Sequence, residues 1–164
     1  MKLKSIAAAS VVALTALSSH AADTNWGNHD LLEVGVGSTA GGAIFDTFSF
    51  WLGAQSSVAS SVVSVGTILG GAYSLYSFGS DGLKGTGDDV GIGAWTFNGT
   101  PAVHTLSLAS GGYYYSVLGG APGAATYVIS SAATAAPVPE PETYALLGAG
   151  LGVIGFLASR RRRD

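Results

Sequence analysis

The chain has 164 residues, a formal net charge of −3, no cysteine and only 10 % charged residues. That length suits one modest domain, and the lack of cysteine excludes disulfides, thiol catalysis and cysteine-based zinc sites. The charge is unevenly spread: residues 22–136 carry Asp23, Asp30, Glu33, Asp46, Asp81, Asp88 and Asp89 against Lys84 alone, about −6 at neutral pH. An acidic middle without arginine lacks the cations that grip phosphate, so nucleic acid is excluded as a partner.

The first segment reads as a targeting element. Lys2 and Lys4 form a positive start, Ile6 to Leu17 is apolar, and Ser19 and Ala21 place small residues where signal peptidase reads them. This predicts a signal helix over residues 1–21, cut after Ala21, with a cut after Ala22 as the alternative.

Residues 22–131 read as an exported all-β domain, an antiparallel β-sandwich or jelly-roll-like fold. Short alternating runs predict strands over 31–36, 43–52, 58–69, 73–78, 91–97, 103–108, 113–118 and 126–130. Turn signals separate them, among them Gly41-Gly42, Gly70-Gly71, Asp81-Gly82, Asn98-Gly99, Gly111-Gly112 and Gly119-Gly120. Leu108, Gly111 and Tyr113 have the shape of a turn entering a strand, with Tyr113 and Tyr115 on one face and Tyr114 on the other.

In "AIFDTFSFWL", alternation puts Ile44, Asp46 and Phe48 on the inward face. A buried carboxylate needs hydrogen bonds or an ion. Three settings are open for Asp46: donors from the backbone of a nearby turn, a metal, or a bulge that turns it into water. In "DGLKGTGDDVG", Asp81, Asp88 and Asp89 lie among four glycines. Oxygen ligands on a tightly folding loop suit calcium, but the EF-hand spacing is missing, so a solvated hairpin loop is the competing reading.

Other chemistry is sparse. His29 and His104 stand in no catalytic motif, and there is no nucleophile elbow, dinucleotide fingerprint or phosphate-binding loop. Paired carboxylates for a hydrolase are not recognisable. Trp26, Trp51, Trp95 and the Tyr113–Tyr115 run could stack on sugars if exposed, though such rings more often fill a core.

A small-residue and proline linker is expected over 132–138, then an apolar helix over 144–159, rising about 24 Å against a bilayer core of about 30 Å. Arg160, Arg161, Arg162 and Arg163 would hold its end in the cytoplasm. Glycine at 148, 150, 152 and 155 suits a membrane helix better than an aqueous one. A C-terminal transmembrane helix is therefore expected.

Pro139-Glu140-Pro141, the glycine-studded helix and the arginine cluster, in that order over residues 139–164, resemble the PEP-CTERM sorting signal. The resemblance implies that exosortase reads Pro139, Glu140 and Pro141, that the inner membrane holds the precursor through the C-terminal helix, and that the product reaches the cell surface or medium of an exopolysaccharide-making bacterium. The Ile44-x-Asp46-x-Phe48 stretch resembles the FxDxF subgroup of these proteins, with isoleucine in the first position. Together these readings predict a non-enzymatic surface or matrix protein associated with exopolysaccharide and biofilm. Its partners would be signal peptidase, exosortase and exopolysaccharide, and it would need no cofactor unless the acidic loop takes calcium. The alternative is a carbohydrate-binding sandwich module, ahead of an exported hydrolase.

Overall fold

Nine strands and one helix make up the described part of the protein, residues 21–136 and 141–161 of a computed structural model. The strands are β1 (Asp23–Asn28), β2 (Leu32–Thr39), β3 (Gly42–Leu52), β4 (Ser56–Val65), β5 (Leu69–Ser77), β6 (Val90–Thr96), β7 (His104–Leu108), β8 (Gly111–Ala121) and β9 (Ala125–Ala135). The helix α1 runs over Pro141–Arg161. Five strands form one sheet in the order β1-β3-β8-β5-β6, and four form another in the order β2-β9-β4-β7. Their inner faces share one core, so the expected sandwich is present. Phe48, Phe50, Tyr73, Tyr115 and Val117 come from the first sheet, and Val58, Val62, Leu108, Tyr127 and Ile129 from the second.

The pairing is antiparallel with one exception. β1 runs parallel to β3 at the sheet edge, from Asp23 opposite Thr47 to Asn28 opposite Trp51. This strand was not foreseen. Its sequence, DTNWGN, carries one large apolar residue and so lacks the alternation that marks a strand.

Two other boundaries move. The run expected as one strand over 58–69 breaks after Val65, because Gly66 takes φ 87°. A side chain there would meet the Ala124 carbonyl at 3.0 Å, so the turn into β5 needs glycine twice over. The linker expected from Ala132 is strand as far as Ala135. Ala132 pairs with Leu32 on one side and Ala59 on the other, and the Ala136 N–H donates to Gln55 O at 2.8 Å. Small side chains there serve a central strand, not a flexible spacer. The remaining linker residues, 137 and 138, lie outside the described residues.

Two inward glycines on β2 set the spacing between the sheets. A Cβ on Gly35 would meet Ile129 at 2.9 Å and the Phe48 ring at 2.8 Å, and one on Gly37 would meet the Tyr127 hydroxyl at 2.6 Å. The rings of Phe48 and Tyr127 occupy the space those side chains would need.

Candidate functional site

Asp46 lies in the middle of β3 with 0 % exposure. Alternation along β3 turns Ile44, Asp46, Phe48 and Phe50 into the core, as expected from the sequence. Two partners of Asp46 lie far from it in sequence. Its Oδ1 accepts from the Ala22 N–H at 2.7 Å and its Oδ2 from the Tyr127 hydroxyl at 2.5 Å. The carboxylate therefore joins the edge strand β1, its own strand β3, and β9 of the opposite sheet. Burial, and then the carboxylate beside it, push the Tyr127 phenol well above its ordinary pKa. Ala22 is held at its other end too, since its carbonyl accepts from Thr47 N at 2.8 Å.

A second polar group lies at the far end of β1. His29 Nδ1 sits 2.5 Å from the Asp30 carbonyl and Nε2 sits 2.8 Å from Ser131 Oγ. A carbonyl can only accept, so Nδ1 carries the proton there and Nε2 accepts from Ser131. The Tyr115 hydroxyl lies 3.0 Å from the same Oγ. Burial pushes Tyr115 up to about 12. The histidine and serine stand 102 residues apart in sequence, and no motif announced the pair. Ser131 has 0 % exposure, so no substrate reaches it and the pair supports packing.

The acidic loop folds over the outer face of the five-stranded sheet. Asp88 accepts from the Ser80 hydroxyl (2.9 Å), the Thr86 hydroxyl (2.7 Å) and the Asp81 N–H (3.3 Å). Asp89 accepts from the N–H groups of Gly79 (3.1 Å), Gly85 (2.6 Å) and Thr86 (3.2 Å), and from the Tyr114 hydroxyl (2.9 Å). Asp81 accepts from its own loop, from Leu83 N at 2.8 Å. The Thr86 and Ser80 hydroxyls hold the Asp88 carboxyl down at about 2. Burial opposes the charged form of Asp89, but the Tyr114 hydroxyl and the three N–H groups outweigh it and keep its pKa below the usual range. Tyr114 is pushed up to about 12, by burial first and then by Asp89. Among the described residues no group of three or more His, Cys, Asp or Glu side chains could hold a metal ion. Asp81, Asp88 and Asp89 close their own loop and meet at one hydroxyl, Thr86 Oγ1, which lies 3.4, 2.7 and 3.5 Å from their respective carboxylates. Lys84, at the loop's tip, pairs with Asp23 and donates to Thr47 Oγ1 at 3.0 Å, tying the loop to β1 and β3.

The aromatic residues are mostly structural. Trp26 packs on Phe48 and Phe50, and Tyr113, Tyr114 and Tyr115 are buried. Tyr76 stacks on Tyr114 at 5.1 Å and 14°, beneath the acidic loop. Trp51 is exposed, and its neighbour Phe78 meets it edge-on at 80°. No two coplanar, exposed Trp or Tyr rings occur among the described residues. Trp95 and His104 stack at 4.8 Å and 16° and help line a cleft of about 620 Å³ with Asn98 and Thr100.

In α1 the described side chains are exposed, including Leu146, Leu147, Leu151, Val153 and Ile154. Among the described residues no helix is long and apolar enough to cross a membrane. Residues 1–20, Pro139, Glu140, Arg162 and Arg163 lie outside the described residues, so the signal helix and much of the sorting motif have no described geometry. Ala21 is exposed and Ala22 half-buried at the start of β1.

Residues 137–163 match the PEP-CTERM protein-sorting motif. That motif implies an exported protein with a membrane-anchored precursor, processed by exosortase and sorted to the cell surface. No curated protein matches the chain. Among solved structures, the pre-peptidase C-terminal domain of a collagenase from Bacillus anthracis is similar, with 20 % identity, 66 % of this chain and 93 % of that chain covered, and a TM-score of 0.45. A likeness at that level carries no argument about function.

Proposed function

We propose that the chain is a non-enzymatic surface or matrix protein, exported by a signal peptide cut after Ala21, sorted by exosortase and associated with the exopolysaccharide of a biofilm. The match of residues 137–163 to the sorting motif carries this reading. The rest is consistent with it. The last described bond of the sandwich, from Ala136 N–H to Gln55 O, comes immediately before the matched residues 137–163. The exposed apolar side chains of α1 suit a segment that is sheltered by lipid until it is processed. The buried Asp46 and Phe48 fit an FxDxF-type signature with Ile44 in the first place.

Intact mass of the mature protein tests this. Glu140→Ala should leave an unprocessed, membrane-held precursor, while the wild type should lose Arg160 to Arg163. A wild-type mature mass that keeps those arginines would sink the sorting reading.

A carbohydrate-binding role is the second reading, favoured by the cleft beside the Trp95–His104 stack. Co-sedimentation with the source cell's own exopolysaccharide decides it. Binding lost in Trp95→Ala, with folding intact, would favour a module, and no binding by the wild type would remove it.

A further inference from the structure

We propose that Asp46 is the receptor for a newly made N-terminus: cleavage between Ala21 and Ala22 turns the Ala22 amide into an ammonium group that pairs with the buried Asp46 carboxylate and locks β1 onto the sandwich. The inference rests on the export reading above for the cut itself, and on geometry for everything else. The Ala22 nitrogen is already 2.7 Å from Asp46 Oδ1. Ala21, on the other side of the bond to be cut, is exposed. The Ala22 carbonyl is fixed by Thr47 N, so loss of residues 1–21 leaves the nitrogen where it stands.

The chemistry changes at that one atom. Hydrolysis adds water across the Ala21–Ala22 peptide bond, giving a carboxylate on the released segment and an amine on Ala22, which is protonated below about pH 8. An amide N–H donating to a carboxylate becomes an ammonium–carboxylate pair, with charge on the donor as well as the acceptor. It does so against a carboxylate with 0 % exposure, where water screens little. The pair lies at the edge where β1 covers the flank of β3. Maturation thereby strengthens a sheet edge that is already paired in the uncut chain. The geometry also selects between the two cleavage positions. A cut after Ala22 would discard the nitrogen that Asp46 holds, so the structure favours the cut after Ala21.

Among the described residues, titratable groups near the pair include Tyr127 on β9, and Asp23 and Lys84, which meet over Thr47. They are common to any two chains that differ only before Ala22, so a comparison of such chains cancels them.

Two chains test the proposal: residues 22–164 released from a cleavable fusion so that Ala22 is the first residue, and the same chain preceded by one extra alanine. Because both are released in vitro, the result does not depend on where a cell cuts. The amine next to a buried carboxylate should titrate at least one unit above its ordinary value of about 8. A group with a raised folded pKa contributes stability that is full below the unfolded pKa and is lost as pH rises through the folded one. The chain beginning at Ala22 should therefore fold at least tenfold more favourably at pH 7 than the extended chain, and the gap should close as the pH rises above about 9. Asp46→Asn should remove the gap at every pH. If that variant does not fold, titration of the Ala22 amine by NMR in the wild type still decides. Equal melting of the two chains from pH 6 to 10, or an amine that titrates near 8, would overturn the receptor role. N-terminal sequencing of the exported protein separately reports the cut. A first residue of Asp23 would place the cut after Ala22 and overturn the receptor role in the cell while leaving export intact, and an uncut N-terminus would refute the export reading itself.

Discussion

Asp46 and the Asp88–Asp89 pair show what the same side chain does in two settings. Asp46 has 0 % exposure, and two of its partners lie 24 and 81 residues away, just before β1 and on β9. Asp88 finds its partners within eight residues, and Asp89 within ten except for Tyr114. The first carboxylate joins the two sheets and the edge strand. The other two fold a loop around themselves and reach the sheet through a single phenol. Removing the first should therefore damage the whole fold, and removing the others should loosen one segment.

The largest expected effect is at Asp46. Asp46→Ala leaves the Tyr127 hydroxyl and the Ala22 N–H without their acceptor, at about 1–3 kcal/mol for each buried donor. Asp46→Asn keeps the shape and one acceptor oxygen and should cost less. Denaturant unfolding at matched m-values reads both. A loss within about 0.5 kcal/mol for Asp46→Ala, as surface changes give, would erase the contrast with the loop.

Gly37→Ala should come next, through the same pair seen from the opposite sheet. Its Cβ would meet the Tyr127 hydroxyl at 2.6 Å, so the ring must move and its bond to Asp46 must lengthen. Overpacking of this kind costs about 1–3 kcal/mol. Combined with Asp46→Ala, the two losses should fall short of their sum, because both act on one hydrogen bond. Strict additivity would mean that Gly37 matters only for backbone reasons.

Acid sharpens the comparison on the loop side. Asp88 is held at about 2, and Asp89 also lies below its ordinary value. Groups with depressed folded pKa values contribute stability that is present above the unfolded value of about 4 and lost as pH falls through the folded one. Between about pH 4 and pH 2 the amides of Gly79, Gly85 and Thr86 should lose protection from hydrogen exchange before the sheet amides do. Simultaneous loss across the sandwich would show that the loop is part of the cooperative core.

Much of this molecule was legible in its sequence, for physical reasons that also explain the gaps. Period-2 alternation in "AIFDTFSFWL" placed Asp46 inside, and the order of motif, helix and arginines marked the tail. The partners of Asp46 were not legible, because a phenol 81 residues away leaves no local signal. β1 was missed because DTNWGN has no apolar period; the β3 backbone and Asp46 hold it in place. Residues 132–135 look like a linker because alanine, serine and threonine are common in linkers. On β9 those small residues lie between β2 and β4, and Ala133 packs against the core. The three aspartates of the loop suggested an ion, since composition does not reveal that N–H groups and hydroxyls already occupy their oxygens.

The smallest expected effect is that of calcium. Hard cations need six or more oxygens turned toward one point. Here the Asp81, Asp88 and Asp89 carboxylates already share the Thr86 hydroxyl, and Asp88 is further held by Ser80 and the Asp81 N–H, Asp89 by Gly79, Gly85, Thr86 N–H and Tyr114. An ion would have to break those bonds before gaining ligands, and the loop offers little in exchange. A ligand at a hundredfold excess over its Kd would add about 2.7 kcal/mol. In a domain of this size that would raise Tm by roughly 3–6 °C per kcal/mol. The chain should instead melt at the same temperature in millimolar calcium and in chelator, and Asp81→Asn should leave that indifference intact. A calcium-dependent rise that disappears in Asp81→Asn would show that the loop reopens around an ion, and the contrast between a cross-sheet carboxylate and a self-closed pair would no longer hold.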